Sequence, residues 1–401
     1  MRDIFFKHIA QTSPAPIGLE IVKAEGIYQY DVSGKKYMDI ISGFNVANVG
    51  HSNPKVIEAV KKQVDDYMHL IVYGEFIETP QTAYAKLLTE HLPTALDCIY
   101  FTNSGAEATE GALKLVKRAT GRTNIIAFNK SYHGSTQGAL SVMGDEYYRN
   151  AFRPLLPGIL HVDYNTDEVF DLINEATACV ILETVQAESG ITVPSKTWMQ
   201  QLRKKCTEQG ALLILDEIQA GFGRTGSLWA FEQFDIVPDI LLLGKALGGG
   251  MPLGAFIANK NVMQTLSFNP VLGHITTFGG HPVSCAAGKA AFEVLLEGNY
   301  INSVKQKETF LIEQLHHSSI EKINHFGLWA SLQFKTMETA QNIIHACVDN
   351  GLITDWFVFA PDKLRIAPPL IIEEDEIKKA CSIIIDIINK IKNKYQFNFL
   401  K

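Results

Sequence analysis

Asp216 and Lys245 stand 29 residues apart, and each follows a short apolar run: LLIL before the acid, ILLLG before the lysine. Runs of this kind read as strands, and in open α/β sheets ligands bind at the strands' C-terminal ends. A lysine amine there can condense with an aldehyde. An aspartate there can keep a pyridine nitrogen protonated, which makes the ring an electron sink for an acidified Cα–H. Together they are what a pyridoxal phosphate site needs. Such a site also needs a place for the phosphate. In NSGAEATEGALKLVKR, Ser104, Gly105 and Ala106 open a helix directly after a strand. Free N–H groups and the helix dipole attract an anion at such a start. Ser104-x-x-Glu107 is also a capping box, which any protein can use. The two readings are compatible.

A rival chemistry lies between the two residues. GFGRTG, Gly221 to Gly226, matches the dinucleotide pattern G-x-G-x-x-G. A true fingerprint has its strand running straight into the glycines, a helix after them, and an acid about 20 residues further on. Here Asp216 and Glu217 precede the glycines, and the distal stretch LLLGKA contains Lys245 but no acid. The match is one-sided, and a turn after a strand explains it better than nicotinamide binding.

Elements able to position these residues are visible. DCIYFT (97–102), NIIAFN (124–129), TACVILE (177–183), ALLILDE (211–217), DILLLG (239–244) and LGAFIA (253–258) read as strands covered on both faces. Ala108, Ala112, Leu115, Val116 and Ala119 make one helical stripe that Gly121 can end. The fold class is α/β, with a largely parallel sheet across about residues 50–290. We expect a large domain over 46–290 and a smaller α+β domain from 1–45 and 291–401. The first part of the latter holds a hairpin-like stretch, GIYQYDVSGKKYMDI. The last part holds a helix, EEDEIKKACSIIIDIINKIKNK, with Ile377, Cys381, Ile384, Ile388 and Ile391 on one face. Its acids at the start and lysines at the end suit the dipole.

The bulk numbers set bounds. Four hundred and one residues suit two domains, and 46% hydrophobic with 20% charged residues is ordinary globular composition. Forty-three acids against 36 bases give a net charge of −7, which argues against a nucleic-acid binder. Six cysteines without a C-x-x-C read as reduced thiols, and no metal ligands are assigned. The N-terminus lacks a signal-peptide core, and no run approaches a membrane span. These features point to the cytoplasm.

LLILDEIQAGFGRTG and LLLGKALGGGMPLGA together resemble the class III (ω-amino acid) aminotransferases, fold-type I pyridoxal phosphate enzymes. Similar motifs run from SGFNVANVGHSNPKV (42–56) to RIAPPL (365–370). The resemblance implies a role for each matching residue. Lys245 bonds the cofactor aldehyde, Asp216 meets the pyridine nitrogen, and Gln219 lies near the ring hydroxyl. Gly105 and Ala106, with Ser104 beside them, hold the phosphate. Tyr132, in SYHGST, stacks on the ring, and Thr277 reaches the phosphate from a neighbouring subunit, so the site needs a homodimer. Glu183 and Glu188 match two family glutamates, the second a gate that pairs with Arg365 between half-reactions. Arg365 holds a substrate carboxylate, a job suited to a bidentate fork. Phe44, Tyr73 and Phe76 are candidates for the pocket wall. His51 and His133 read as structural.

The expected activity is a transaminase that moves an amino group from an ω-amino or diamino acid to a 2-oxo acid such as 2-oxoglutarate or pyruvate. Ornithine, acetylornithine and 4-aminobutyrate are the donor types implied. An aminomutase, racemase or decarboxylase on the same scaffold is the alternative. Three departures stand out. Ser135 replaces an arginine common after the His-Gly pair, which puts a dicarboxylate acceptor in doubt. Thr184 replaces a proline, and His281 an asparagine.

Overall fold

The computed structural model describes residues 1–398, with side chains to Lys392. Its centre is a seven-stranded sheet: β1 (Cys98–Thr102), β2 (Asn124–Phe128), β3 (Ile159–Val162), β4 (Thr177–Glu183), β5 (Leu212–Asp216), β6 (Ile240–Leu243) and β7 (Gly254–Ala258). The spatial order is β1-β7-β6-β5-β4-β2-β3. Strands β2 to β6 run parallel, and β7 lies antiparallel to both β1 and β6. Every residue of β4, β6 and β7 is buried, because helices and loops cover both faces. That double burial is why the runs lack alternation. Six of the seven strands match the expected stretches within a residue or two. The seventh, β3, is an edge strand with Leu160 exposed and His161 in its middle, so its apolar signal is weak.

The helix Gly105–Thr120 follows β1 at once. Ser104 caps it by accepting from Glu107 N at 3.2 Å, and Gly121 ends it at φ 69°. Glu107 reaches back to the amide of Asn103 at 2.9 Å, one residue earlier than a capping box requires.

Two smaller sheets flank this unit. Tyr28–Asp31 and Lys36–Asp39 form the expected hairpin, and Leu352–Ile353 adds to it in parallel, which ties the N-terminal segment to the C-terminal part. Lys322–His325, Ala330–Gln333, Ala360–Ile366 and Trp356–Phe357 make the other sheet, and it carries Arg365. The helix Pro282–Glu297 runs unbroken across position 290. The last helix, Glu374–Asn398, buries Ile377, Cys381, Ile384 and Ile388 and partly buries Ile391. It continues beyond Lys394, so the lysines expected to finish it lie short of its last turn, and only the acidic start suits the dipole. All six cysteines are free. Among the described residues no helix is long and apolar enough to cross a membrane.

Candidate active site

Parallel register brings the two central acids together. Glu183 at the end of β4 pairs with Asp216 at the end of β5, and Asp216 pairs with Leu242 of β6. Lys245 follows two residues after β6. These strand ends and the start of helix Gly105–Thr120 border one cleft of about 220 Å³. Gly105, Ala106, Tyr132, Glu183, Asp216, Gln219 and Lys245 all line it.

Asp216 is fixed by two donors. Its Oδ1 accepts from Ile218 N at 2.9 Å, and its Oδ2 meets His133 Nδ1 at 2.7 Å. Against a carboxylate, Nδ1 is the protonated nitrogen of the ring. His133 therefore does more than fill a loop: it sets the direction of the aspartate, and its Nε2 is buried with no partner. Lys245 sits half-buried at the cleft floor with φ 48°, a left-handed conformation rare outside glycine. Loss of water around the ammonium pushes its pKa down, which eases access to the neutral amine. Burial pushes the Glu183 carboxyl well up, and Asp216 beside it adds to the effect. Glu183 anchors its surroundings by accepting from Tyr132 N at 3.0 Å and Ala187 N at 2.9 Å. The tyrosine is thereby placed over the cleft, with its hydroxyl 3.1 Å from Ser135 Oγ.

A second charged pair lies alongside. Arg365 and Glu188 are both buried and meet through two hydrogen bonds, at 3.1 and 2.7 Å. Gln219 Nε2 donates to Glu188 at 3.0 Å, and Val358 N does so at 3.0 Å. Burial pushes Glu188 up, but Arg365 and these donors outweigh it and hold the carboxyl at about 2. Phe357 lies 4.2 Å and Phe44 5.5 Å from the guanidinium carbon. Phe44 belongs to a turn in which Ser42, Gly43, Phe44 and Asn45 all have positive φ (46°, 57°, 63° and 62°). Left-handed backbone costs a non-glycine residue roughly 1–2 kcal/mol.

Other expected residues lie elsewhere. Thr277 is exposed and does not line the cleft of its own chain. Tyr73 borders a separate cavity with Thr276, and Phe76 is exposed; neither lines the cleft of its own chain. His51 bonds Asp39 at 2.8 Å. Thr184 donates to the buried Glu217 at 2.9 Å, whose carboxyl burial pushes up to about 7. His281 stacks on His69.

The glycine loop resolves into a turn. Gly223 and Gly226 take φ 85° and 95°, and only a short 3₁₀ turn, Ala230–Phe234, follows. Its arginine is the residue that the sequence reading missed. Arg224 is fully buried and donates to Leu328 O, Pro368 O, Ser42 Oγ and Asn48 Oδ1 at 2.6–3.1 Å. Burial lowers its pKa to about 9. No local pattern marked it, because its partners lie far away in the chain.

The donor set fits pyridoxal phosphate. An acid fixed by a histidine faces a half-buried lysine, and the first amides of a helix, which have no partner within it, open on the same cleft. Comparison with known proteins agrees. The aminotransferase class-III family model matches residues 9–388. The acetylornithine aminotransferase of Methanopyrus kandleri is 39% identical over 386 residues, 95% of this chain and 96% of that protein. That of Bacillus subtilis is 38% identical, over 91% and 93% respectively. The ornithine aminotransferase of Toxoplasma gondii superposes with TM-score 0.90 at 26% identity, covering 98% of this chain and 95% of that one. The chain belongs to the class-III aminotransferases, with the fold-type I architecture of that family.

Proposed function

We propose that this aminotransferase uses pyridoxal phosphate to move an amino group from an ornithine-, acetylornithine- or 4-aminobutyrate-type donor to a 2-oxo acid such as 2-oxoglutarate or pyruvate. The observation that carries the reading is one cleft lined by Lys245 and Asp216, with the buried Arg365–Glu188 pair bonded to the same Gln219. The names of the relatives support the donor class.

When bound, the cofactor supplies an aldehyde and a protonated ring that takes up the electron pair left as a substrate carbon loses its proton. The chain's residues do the rest. Lys245 Nζ would hold the cofactor through its aldehyde, and its amine, once free of that bond, would serve as the base and acid that moves a substrate proton. His133 fixes Asp216, which would hold the ring nitrogen. Tyr132 and Gln219 would hold the ring between them, and Glu183 fixes the loop that carries Tyr132. The amides of Gly105 and Ala106, beside Ser104, would hold the phosphate. Glu188 covers Arg365 while an amine-ended donor occupies the cleft, and releases it for a 2-oxo acid carboxylate. Ser135 is uncharged, which leaves Arg365 to hold one carboxylate and favours an acceptor with a single one. The need to alternate two differently charged substrates favours transamination over an aminomutase, racemase or decarboxylase.

The working enzyme on this reading is a cytoplasmic homodimer in which Thr277 of each subunit completes the other's phosphate site. Its exposure, away from its own cleft, supports that assignment. The large domain spans 46 to the end of helix Pro282–Glu297, and the flanking segments form the small one.

The test is a half-reaction screen. Each donor is added to the cofactor-loaded enzyme, and loss of the visible-edge absorbance of the aldehyde form is followed. Conversion by one of the named donors, with the band absent in Lys245→Ala, is the expected result. Steady turnover of a single amino acid without any oxo acid sinks the transaminase reading.

A further inference from the structure

We propose that Asp39 is a positioning residue for the carboxylate end of the substrate, acting through the left-handed turn Ser42–Asn45. The proposal rests on the reading of Arg365 as the carboxylate holder. Three of the four turn residues are not glycine, and a chain keeps such a conformation only where its surroundings impose it. Asp39 is what imposes it at the entry. It is fully buried, and its two oxygens take four donors. Oδ1 accepts from Ile41 N at 2.9 Å. Oδ2 accepts from Gly43 N at 3.0 Å and Gln29 Nε2 at 3.0 Å, and meets His51 Nε2 at 2.8 Å. Two of these donors are main-chain amides at the start of the turn. From the other side Arg224 holds Ser42 Oγ at 3.1 Å.

What the turn delivers lies at the gate. Phe44 is brought to 5.5 Å from the Arg365 guanidinium carbon. Asn45 Nδ2 faces Gln219 Oε1 at 3.5 Å, and Gln219 in turn bonds Glu188. One four-residue turn thus reaches Arg365 directly and Glu188 through one side chain. A carboxylate that takes the place of Glu188 on Arg365 meets Phe44 at the mouth, so the setting of this turn decides how closely it is held. Asp39 itself does not line the cleft. Its effect must pass through the turn.

The experiment uses the holoenzyme in its amine form, with pyruvate and the carboxylate-free propanal as acceptors. Asp39→Asn is expected to raise the half-saturating pyruvate concentration about tenfold and to leave propanal within about twofold. Amide hydrogen exchange should quicken over residues 41–47 and not elsewhere. Phe44→Ala should likewise weaken pyruvate more than propanal, and Asp39→Asn/Phe44→Ala should fall well short of the product of the two single effects, because both act through the same turn. If Asp39→Asn does not fold, His51→Ala removes one of the four donors and should give the same split more weakly. Additive effects in the double variant, or equal losses for both acceptors, overturn the proposal. Arg365→Ala is the control. If it spares pyruvate, the carboxylate reading fails and this proposal with it. If it selectively impairs pyruvate and Asp39→Asn does not, the proposal alone falls.

Discussion

Glu188 sits in a balance that a single substitution can read. Its carboxyl is held at about 2 in the folded chain, against about 4.3 for a free glutamate. The folded-state value is depressed, so the stability it contributes is present above the unfolded value. That contribution is lost as pH falls from about 4.3 through 2. Glu188→Gln removes this linkage. Denaturant melts between pH 5 and pH 3 should therefore show a shallower loss of stability than wild type, by up to one proton. The variant also leaves Arg365 buried and unpaired, which costs about 3–5 kcal/mol of stability at neutral pH. Catalytically it should help the acceptor. With no competitor on Arg365, half-saturation by a 2-oxo acid should fall by roughly tenfold, about 1.4 kcal/mol. Unchanged or weaker acceptor binding would show that Glu188 is not the gate.

At the scale of elements, the helix Gly105–Thr120 and the sheet behind it are packed as one body. Gly111 lies on the face of Gly105–Thr120 turned to β7, and a Cβ there would stand 2.3 Å from the Phe256 ring. Alanine usually stabilises a helix interior relative to glycine, by roughly 0.5–1 kcal/mol. Here the clash should win. Overpacking costs about 1–3 kcal/mol, and the helix must shift to relieve it. Gly111→Ala should lower Tm and also weaken cofactor retention, since Gly105 and Ala106 ride on the same helix. A higher Tm with unchanged retention would show that Phe256 yields freely. The element was legible from the stripe Ala108–Ala112–Leu115–Val116 and from Gly121. The role of Gly111 was not, because its partner arrives from β7, more than 140 residues later in the chain.

For the whole molecule, the proposed homodimer with sites shared between subunits is open to a mixing experiment. Lys245→Ala and Thr277→Ala homodimers should each be impaired, the first abolished and the second weak in cofactor retention. Subunit exchange between them should regain activity. If Thr277 acts on the partner's site, a mixed dimer has one site with both residues intact and one with neither. About half of the wild-type activity per mixed dimer is expected. No regain after verified exchange would place Thr277 in its own chain's site or outside any site. Stripped of cofactor, both variants should melt close to the stripped wild type, since neither residue packs in the core.

The local sequence determined six of the seven central strands, the helix after β1, the hairpin at 28–39 and the position of Lys245 and Asp216 at strand ends. Each of these depends on residues within a few positions of one another, so periodicity, turn residues and strand length suffice to show them. The glycine loop was legible in the same way as a turn. Tertiary structure decided the rest. It set Glu183 beside Asp216 through strand register, turned His133 onto that acid, and closed Arg365 on Glu188 across 177 residues of chain. It also gave Arg224 and Asp39 their work. Both are buried polar groups whose partners come from distant segments or a strained turn, and no periodicity marks them. Burial makes their hydrogen bonds obligatory, and burial is a property of the folded chain alone.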